Sequence, residues 1–158
     1  MATVPETRLE LESRSPESTR RLAGSLALVA RPGDVLCLWG DLGAGKTVFA
    51  KGFGKGLGID DTISSPTFVL MGEYVGRLPL FHIDLYRLAS AEEALDGGLL
   101  DDRQETGVVL IEWPDRLGPG LPPSRLDVRI DGTDGPRRIE LNAIGTGYER
   151  YLEAAARS

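Results

Sequence analysis

Val35-Leu36-Cys37-Leu38-Trp39 runs directly into Gly40-Asp41-Leu42-Gly43-Ala44-Gly45-Lys46-Thr47, and this junction decides the fold. The first five residues form a nearly continuous apolar run, the pattern of a strand buried on both faces. The next eight fit G-x-x-x-x-G-K-[ST], the phosphate-binding loop, at every position. Glycines there let the backbone wrap an anion in conformations that a Cβ would obstruct, so successive N–H groups point inward. A helix predicted over about residues 45–57 sets its N-terminus against the same phosphates. In this pattern Lys46 reaches the β- and γ-phosphates and the Thr47 hydroxyl ligates Mg²⁺. Asp41, Leu42, Gly43, Ala44, Gly45 and Val48 complete the expected nucleotide-binding set. Val48 carries no hydroxyl with which to help hold an α-phosphate.

Such a loop needs an acid at the end of a neighbouring strand to hold Mg²⁺ or its water shell. Leu80-Phe81-His82-Ile83-Asp84 and Val108-Val109-Leu110-Ile111-Glu112 both end an apolar strand on a carboxylate, where an unpaired charge is costly to bury. The alternative for either acid is a structural pair with an arginine such as Arg87 or Arg116. Ser64-Ser65-Pro66-Thr67 is a hydroxyl-rich turn that reads either as a plain turn or as a sensor of the γ-phosphate. His82 is the only histidine; inside a strand it is read as packed or hydrogen-bonded rather than catalytic. Trp113 reads either as core or as a shield of the site from water.

Outward from this centre, Thr7 to Glu12 alternates weakly and is predicted as an edge strand. Ser15 caps a helix, with Pro16 in its first turn and Glu17 at the positive end of its dipole. Phe68 to Tyr74 and Leu78 to Ile83 are predicted strands, and Ser90-Ala91-Glu92-Glu93 is a capping box opening a short helix. Leu126, Val128 and Ile130 alternate with charged residues, as do Ile139, Leu141 and Ala143 beyond a turn, which predicts an antiparallel hairpin. A last helix is predicted from about Tyr148 to Ala156. The expected architecture is an α/β three-layer sandwich of the P-loop NTPase class, its mixed sheet parallel at the centre and antiparallel at the edges. It forms one domain over residues 1–158, with 1–6 and 156–158 as disordered tails.

Composition narrows the function. The apolar fraction of 41% and the charged fraction of 27% are those of a globular chain. No run is long enough to span a membrane, and no basic-then-apolar leader opens the chain, so a cytoplasmic location is expected. Cys37 is the single cysteine, which excludes an internal disulfide. The 18 basic and 24 acidic residues give a net charge of −6, which disfavours direct, tight nucleic-acid binding.

The guanine-specificity motif Asn-Lys-x-Asp is excluded, because the only asparagine, Asn142, precedes Ala143 and Ile144. The Asp-x-Asp of small-molecule kinases of the shikimate type is missing from Gly58-Ile59-Asp60-Asp61-Thr62. Four segments, GDLGAGKT (Gly40 to Thr47), SPTF (Ser65 to Phe68), HIDLYRL (His82 to Leu88) and IEWPDR (Ile111 to Arg116), together resemble the TsaE family. That family is the ATPase component of bacterial tRNA threonylcarbamoyladenosine synthesis, and the resemblance covers nearly the whole chain. It implies ATP and Mg²⁺ as ligands and action in a complex with TsaD and TsaB. TsaD transfers the threonylcarbamoyl group, so this chain would meet tRNA only indirectly. The resemblance further implies Lys46, Asp84 and Glu112 as catalytic residues and Thr47 and Glu112 as metal residues. Ser65, Pro66 and Thr67 fall in a switch-like segment, and Trp113 matches the tryptophan that follows the glutamate.

Overall fold

The computed structural model of the chain describes residues 7–40, 45–60, 63, 71–85, 102–132 and 135–158. Seven strands form one sheet: β1 (Arg8–Ser13), β2 (Val35–Trp39), β3 (Met71–Val75), β4 (Pro79–Asp84), β5 (Val108–Glu112), β6 (Arg125–Asp131) and β7 (Arg137–Ile144). Their order is β1-β7-β6-β2-β5-β4-β3. β2 pairs in parallel with β5 and β6, and β5 with β4. The β1–β7, β6–β7 and β3–β4 pairs are antiparallel. The fold is therefore a mixed α/β sheet with a parallel centre and antiparallel edges, as the burial pattern of the sequence predicts.

The sheet departs from the simplest reading in one respect. β6, the first strand of the C-terminal hairpin, lies inside the sheet between β7 and β2 rather than at its margin. It alternates all the same, because only one of its faces is covered: Leu126, Val128 and Ile130 are buried, whereas Arg129 and Asp131 are exposed. β3, from the middle of the chain, forms the second antiparallel edge. The helix expected to open at Ser90 and the start of the strand predicted at Phe68 lie outside the described residues.

Three helices are described: α1 (Pro16–Ala27), α2 (Lys46–Gly56) and α3 (Glu149–Arg157). Ser15 caps α1, its hydroxyl accepting the Ser18 N–H at 3.1 Å, a bond of the kind that contributes about 1 kcal/mol. α3 extends to Arg157, into the residues expected as a tail. All three helices pack on one face of the sheet, where Leu26, Phe49, Phe53 and Tyr151 join Leu36, Leu38, Leu110 and Val128 in the larger core. A smaller core of Cys37, Phe81, Ile83, Val109, Ile111 and Leu117 occupies the opposite face.

α2 is a poor helix by composition, since Gly52, Gly54 and Gly56 each cost about 0.8–1 kcal/mol relative to alanine. Tertiary packing explains their presence. A Cβ on Gly52 would meet the Arg20 carbonyl oxygen at 2.5 Å, so α1 and α2 approach closer than side chains would allow. The start of β2 is pinned in turn by the buried Asp34. Its carboxylate accepts the Arg31 N–H at 2.9 Å and the Tyr151 hydroxyl at 2.5 Å and pairs with the Arg150 guanidinium. Tyr148 of the same C-terminal segment accepts the Val35 N–H through its hydroxyl at 2.9 Å. Among the described residues no helix is long and apolar enough to cross a membrane.

Asp34→Ala should therefore lower unfolding stability by about 3–5 kcal/mol, the usual effect of stranding one member of a buried pair, measured by urea denaturation. A loss no larger than that of an exposed aspartate would contradict this account. Burial pushes the Cys37 thiol up to about 12 and raises the Tyr151 and Tyr148 phenols as well. The unfolded chain ionises these groups at their ordinary values, about 8.5 for the thiol and 10 for the phenols. Their contribution to stability is complete below those values and declines as pH rises toward the folded ones. The urea midpoint should accordingly fall above about pH 9, and Cys37 should react with a thiol reagent only once the chain unfolds.

Candidate active site

The parallel strands β2, β5 and β4 end side by side. Leu38 registers with Glu112, and Glu112 with Asp84, so both carboxylates stand in one row at the carboxyl edge of the sheet. Side chains alternate along a strand, which puts His82, Asp84 and Glu112 on the face carrying α1 and α2. The chain leaves β2 at Gly40 (φ 140°) and enters α2 at Gly45 (φ 110°), conformations that favour glycine. Gly45 is the N-cap of α2 and supplies no side-chain cap, and no acidic residue lies in the first turn. No N-cap side chain bonds the first amides, and the positive end of the helix dipole lies where an anion can be held.

Lys46, the first residue of α2, is buried with 5% exposure. Its ammonium donates to the Gly40 carbonyl oxygen at 2.7 Å and lies 3.7 Å from the centroid of the Trp113 ring. Trp113 is the single non-glycine residue with positive φ among the described residues, at 59°. That backbone costs about 1–2 kcal/mol, and it turns the chain out of β5 into the short helix Pro114–Arg116. The ring both packs against the smaller core and faces the lysine, so the core reading holds, and shielding of the site belongs to the function proposed below. Glu112 is buried, and His82 Nε2 lies 2.6 Å from its Oε2. His82 is fully buried, as a hydrogen-bonded strand residue should be.

The donor set fits a hard divalent cation that arrives with phosphates: the Thr47 hydroxyl at the start of α2, the Glu112 carboxylate, and Asp84 one strand further out. Among the described residues no three His, Cys, Asp or Glu side chains gather as a metal cage. Mg²⁺ is commonly held by one or two carboxylates, with substrate phosphates and water supplying the remaining ligands. Asp41, Leu42, Gly43, Ala44 and the Ser65-Pro66-Thr67 segment lie outside the described residues, as does Arg87.

A cleft of about 150 Å³ adjoins the N-terminus of α2 and was not foreseen from the sequence. Gly45 and Val48 form one side of it, Ser13, Pro16 and Thr19 another, and Gly135 with Arg137 the rim. Nothing local links these segments. They meet because β1 pairs with β7 in the register Ser13↔Arg137, which brings the start of α1 and the tip of the hairpin beside α2.

Comparison with known proteins gives a consistent result. The family described as "Threonylcarbamoyl adenosine biosynthesis protein TsaE" matches residues 13–139. The chain is 44% identical to the tRNA threonylcarbamoyladenosine biosynthesis protein TsaE of Bacillus subtilis (strain 168), over 94% of each chain. It is 43% identical to the protein of the same name from Treponema pallidum (strain Nichols), over 82% of this chain and 96% of that one. The crystal structure of Bacillus subtilis YdiB superposes with a TM-score of 0.75 at 40% identity, covering 95% of both chains.

The position of Lys46 yields a spectroscopic prediction. The chain has two tryptophans, so Trp39→Phe leaves Trp113 as the sole indole reporter. Mg·ATP should change its emission as the ammonium leaves the ring for the phosphates, whereas emission unaltered at saturating nucleotide would contradict the placement.

Proposed function

We propose that this chain, which belongs to the TsaE family and thus to tRNA threonylcarbamoyladenosine biosynthesis, binds and hydrolyses Mg·ATP in a complex with TsaD and TsaB. The observation that carries the reading is the junction of β2 and α2. A helix N-terminus with glycine as its N-cap, a buried lysine and two strand-end carboxylates lie at the same edge of the sheet, where a nucleoside triphosphate needs amides, a cation and metal ligands.

Lys46 and the first amides of α2 receive the β- and γ-phosphates, the lysine exchanging the Gly40 carbonyl oxygen for phosphate oxygen. Thr47 and Glu112 hold the cation, which when bound neutralises charge across the phosphate oxygens. Asp84, in register with Glu112, orients the attacking water or the water shell of the cation. Trp113 limits access of bulk water to the lysine. The cleft beside Val48 receives the nucleoside, with the apolar Val48 side chain in place of a hydroxyl.

Phosphoryl transfer of this kind depends on positioning and charge stabilisation more than on covalent help from the protein. A site with one lysine and two carboxylates is expected to turn over slowly alone and faster once a partner completes it. The acidic balance of the chain agrees with a partner, rather than this subunit, gripping tRNA.

ATP hydrolysis by the purified chain, alone and with the TsaD–TsaB pair, tests the proposal. The pair should stimulate turnover, and Lys46→Ala should abolish it, with nucleotide affinity about ten- to a hundredfold weaker through loss of charge-assisted contacts of about 1.5–3 kcal/mol. A rate indifferent to the pair would contradict the partner assignment. Glu112→Gln and Asp84→Asn should depress turnover more than nucleotide affinity; the reverse pattern would contradict their roles.

A further inference from the structure

We propose that His82 is a positioning residue, which holds one oxygen of the Glu112 carboxylate and thereby fixes that carboxylate at the phosphate cradle. The inference rests on the reading above that Glu112 is a metal residue, and it assigns the histidine that sequence reading left as a packed strand residue.

His82 lies in the middle of β4, in register with Leu110, and Glu112 lies two residues further along β5. The contact therefore runs diagonally across two neighbouring strands on the face that carries α2, with Nε2 and Oε2 2.6 Å apart. Exposure is 0% for His82 and 3% for Glu112, so water does not screen the pair. A bare ring nitrogen facing a carboxylate oxygen at this distance would set two lone pairs against each other. The hydrogen-bond pattern therefore assigns the Nε2 proton to this contact.

The other ring nitrogen carries the argument. Among the described residues, His82 Nδ1 is buried without a hydrogen-bond partner. An unsatisfied buried nitrogen and a buried carboxylate both cost stability, and two apolar side chains in place of His82 and Glu112 would fill the same positions without either cost. Fold stability alone does not account for a histidine here. Orientation of Glu112 does, because a carboxylate on a long, rotatable side chain binds a cation well only when its rotamer is fixed beforehand.

The test uses Mn²⁺ as the probe, titrated by electron paramagnetic resonance into the full chain with a non-hydrolysable ATP analogue. His82→Phe strands a buried carboxylate oxygen and should lower the melting temperature, keep its affinity for the analogue in EDTA, and bind Mn²⁺ about ten- to a hundredfold more weakly. His82→Gln, whose amide nitrogen falls where Nε2 lies, should recover most of that affinity. His82→Asn places its donor too short of Glu112 and should not. If His82→Phe fails to fold, the Gln and Asn variants decide, and equal Mn²⁺ affinity in those two overturns the proposal. Glu112→Gln is measured in parallel. Weak Mn²⁺ binding in Glu112→Gln with wild-type binding in the His82 variants overturns the positioning role alone. Wild-type binding in Glu112→Gln overturns the metal assignment of Glu112 and the inference with it.

Discussion

β2 is paired on both sides and buried on both faces, and the groups of the site are arranged from its end. The residue before the strand, Asp34, is anchored through its carboxylate, which gathers the Arg31 amide, the Arg150 guanidinium and the Tyr151 hydroxyl, and the Val35 N–H is held by the Tyr148 hydroxyl. The last residue of the strand passes into Gly40 and then, through Gly45, into α2, in backbone conformations that side-chain-bearing residues rarely adopt. A five-residue strand fixed at both ends gives α2 little freedom to shift. The close approach of α1 at Gly52 removes more of it. An anion site made of helix amides needs such a support, because its contacts are short and directional.

The site at the carboxyl ends of these strands carries features that cost stability. Lys46, Glu112 and His82 are buried polar groups, the His82 Nδ1 has no hydrogen-bond partner among the described residues, and Trp113 occupies left-handed backbone. Apolar side chains in place of His82 and Glu112 together, and a glycine at Trp113, would serve stability better. Apart from the buried Asp34 cluster, the rest is apolar strand faces against apolar helix stripes, with an outer ladder of exposed pairs such as Arg8–Glu140 and Arg138–Glu10. Local inconsistency gathered at one end of a consistent fold is the pattern expected of a functional centre.

Much of this was legible in the sequence, and for local reasons. The apolar run, the glycine-rich turn and the helix start are neighbours along the chain, so their chemistry is written in one stretch. Asp84 and Glu112 stand out in the sequence because a carboxylate ending an apolar strand is unusual wherever it occurs, and the sheet sets the two side by side at its carboxyl edge. The interior position of β6 was less plain, because its alternation reports one exposed face rather than a sheet margin. The cleft beside Val48 and the His82–Glu112 contact were hidden altogether. Each depends on strand register between distant segments, Ser13 with Arg137 in one case and β4 with β5 in the other. Register is a property of the assembled sheet, and no residue pattern within either strand states it.

The central claim is that the β2–α2 junction is a Mg·ATP site served by Glu112. A crystal structure of the chain with Mg²⁺ and a non-hydrolysable ATP analogue tests it most directly. The account predicts the β- and γ-phosphates at the N-terminus of α2, the Lys46 ammonium moved from the Gly40 carbonyl oxygen to phosphate, and Glu112 at the cation or its water while still bonded to His82. A nucleotide seated away from α2, or a cation bound there without Glu112, would contradict it.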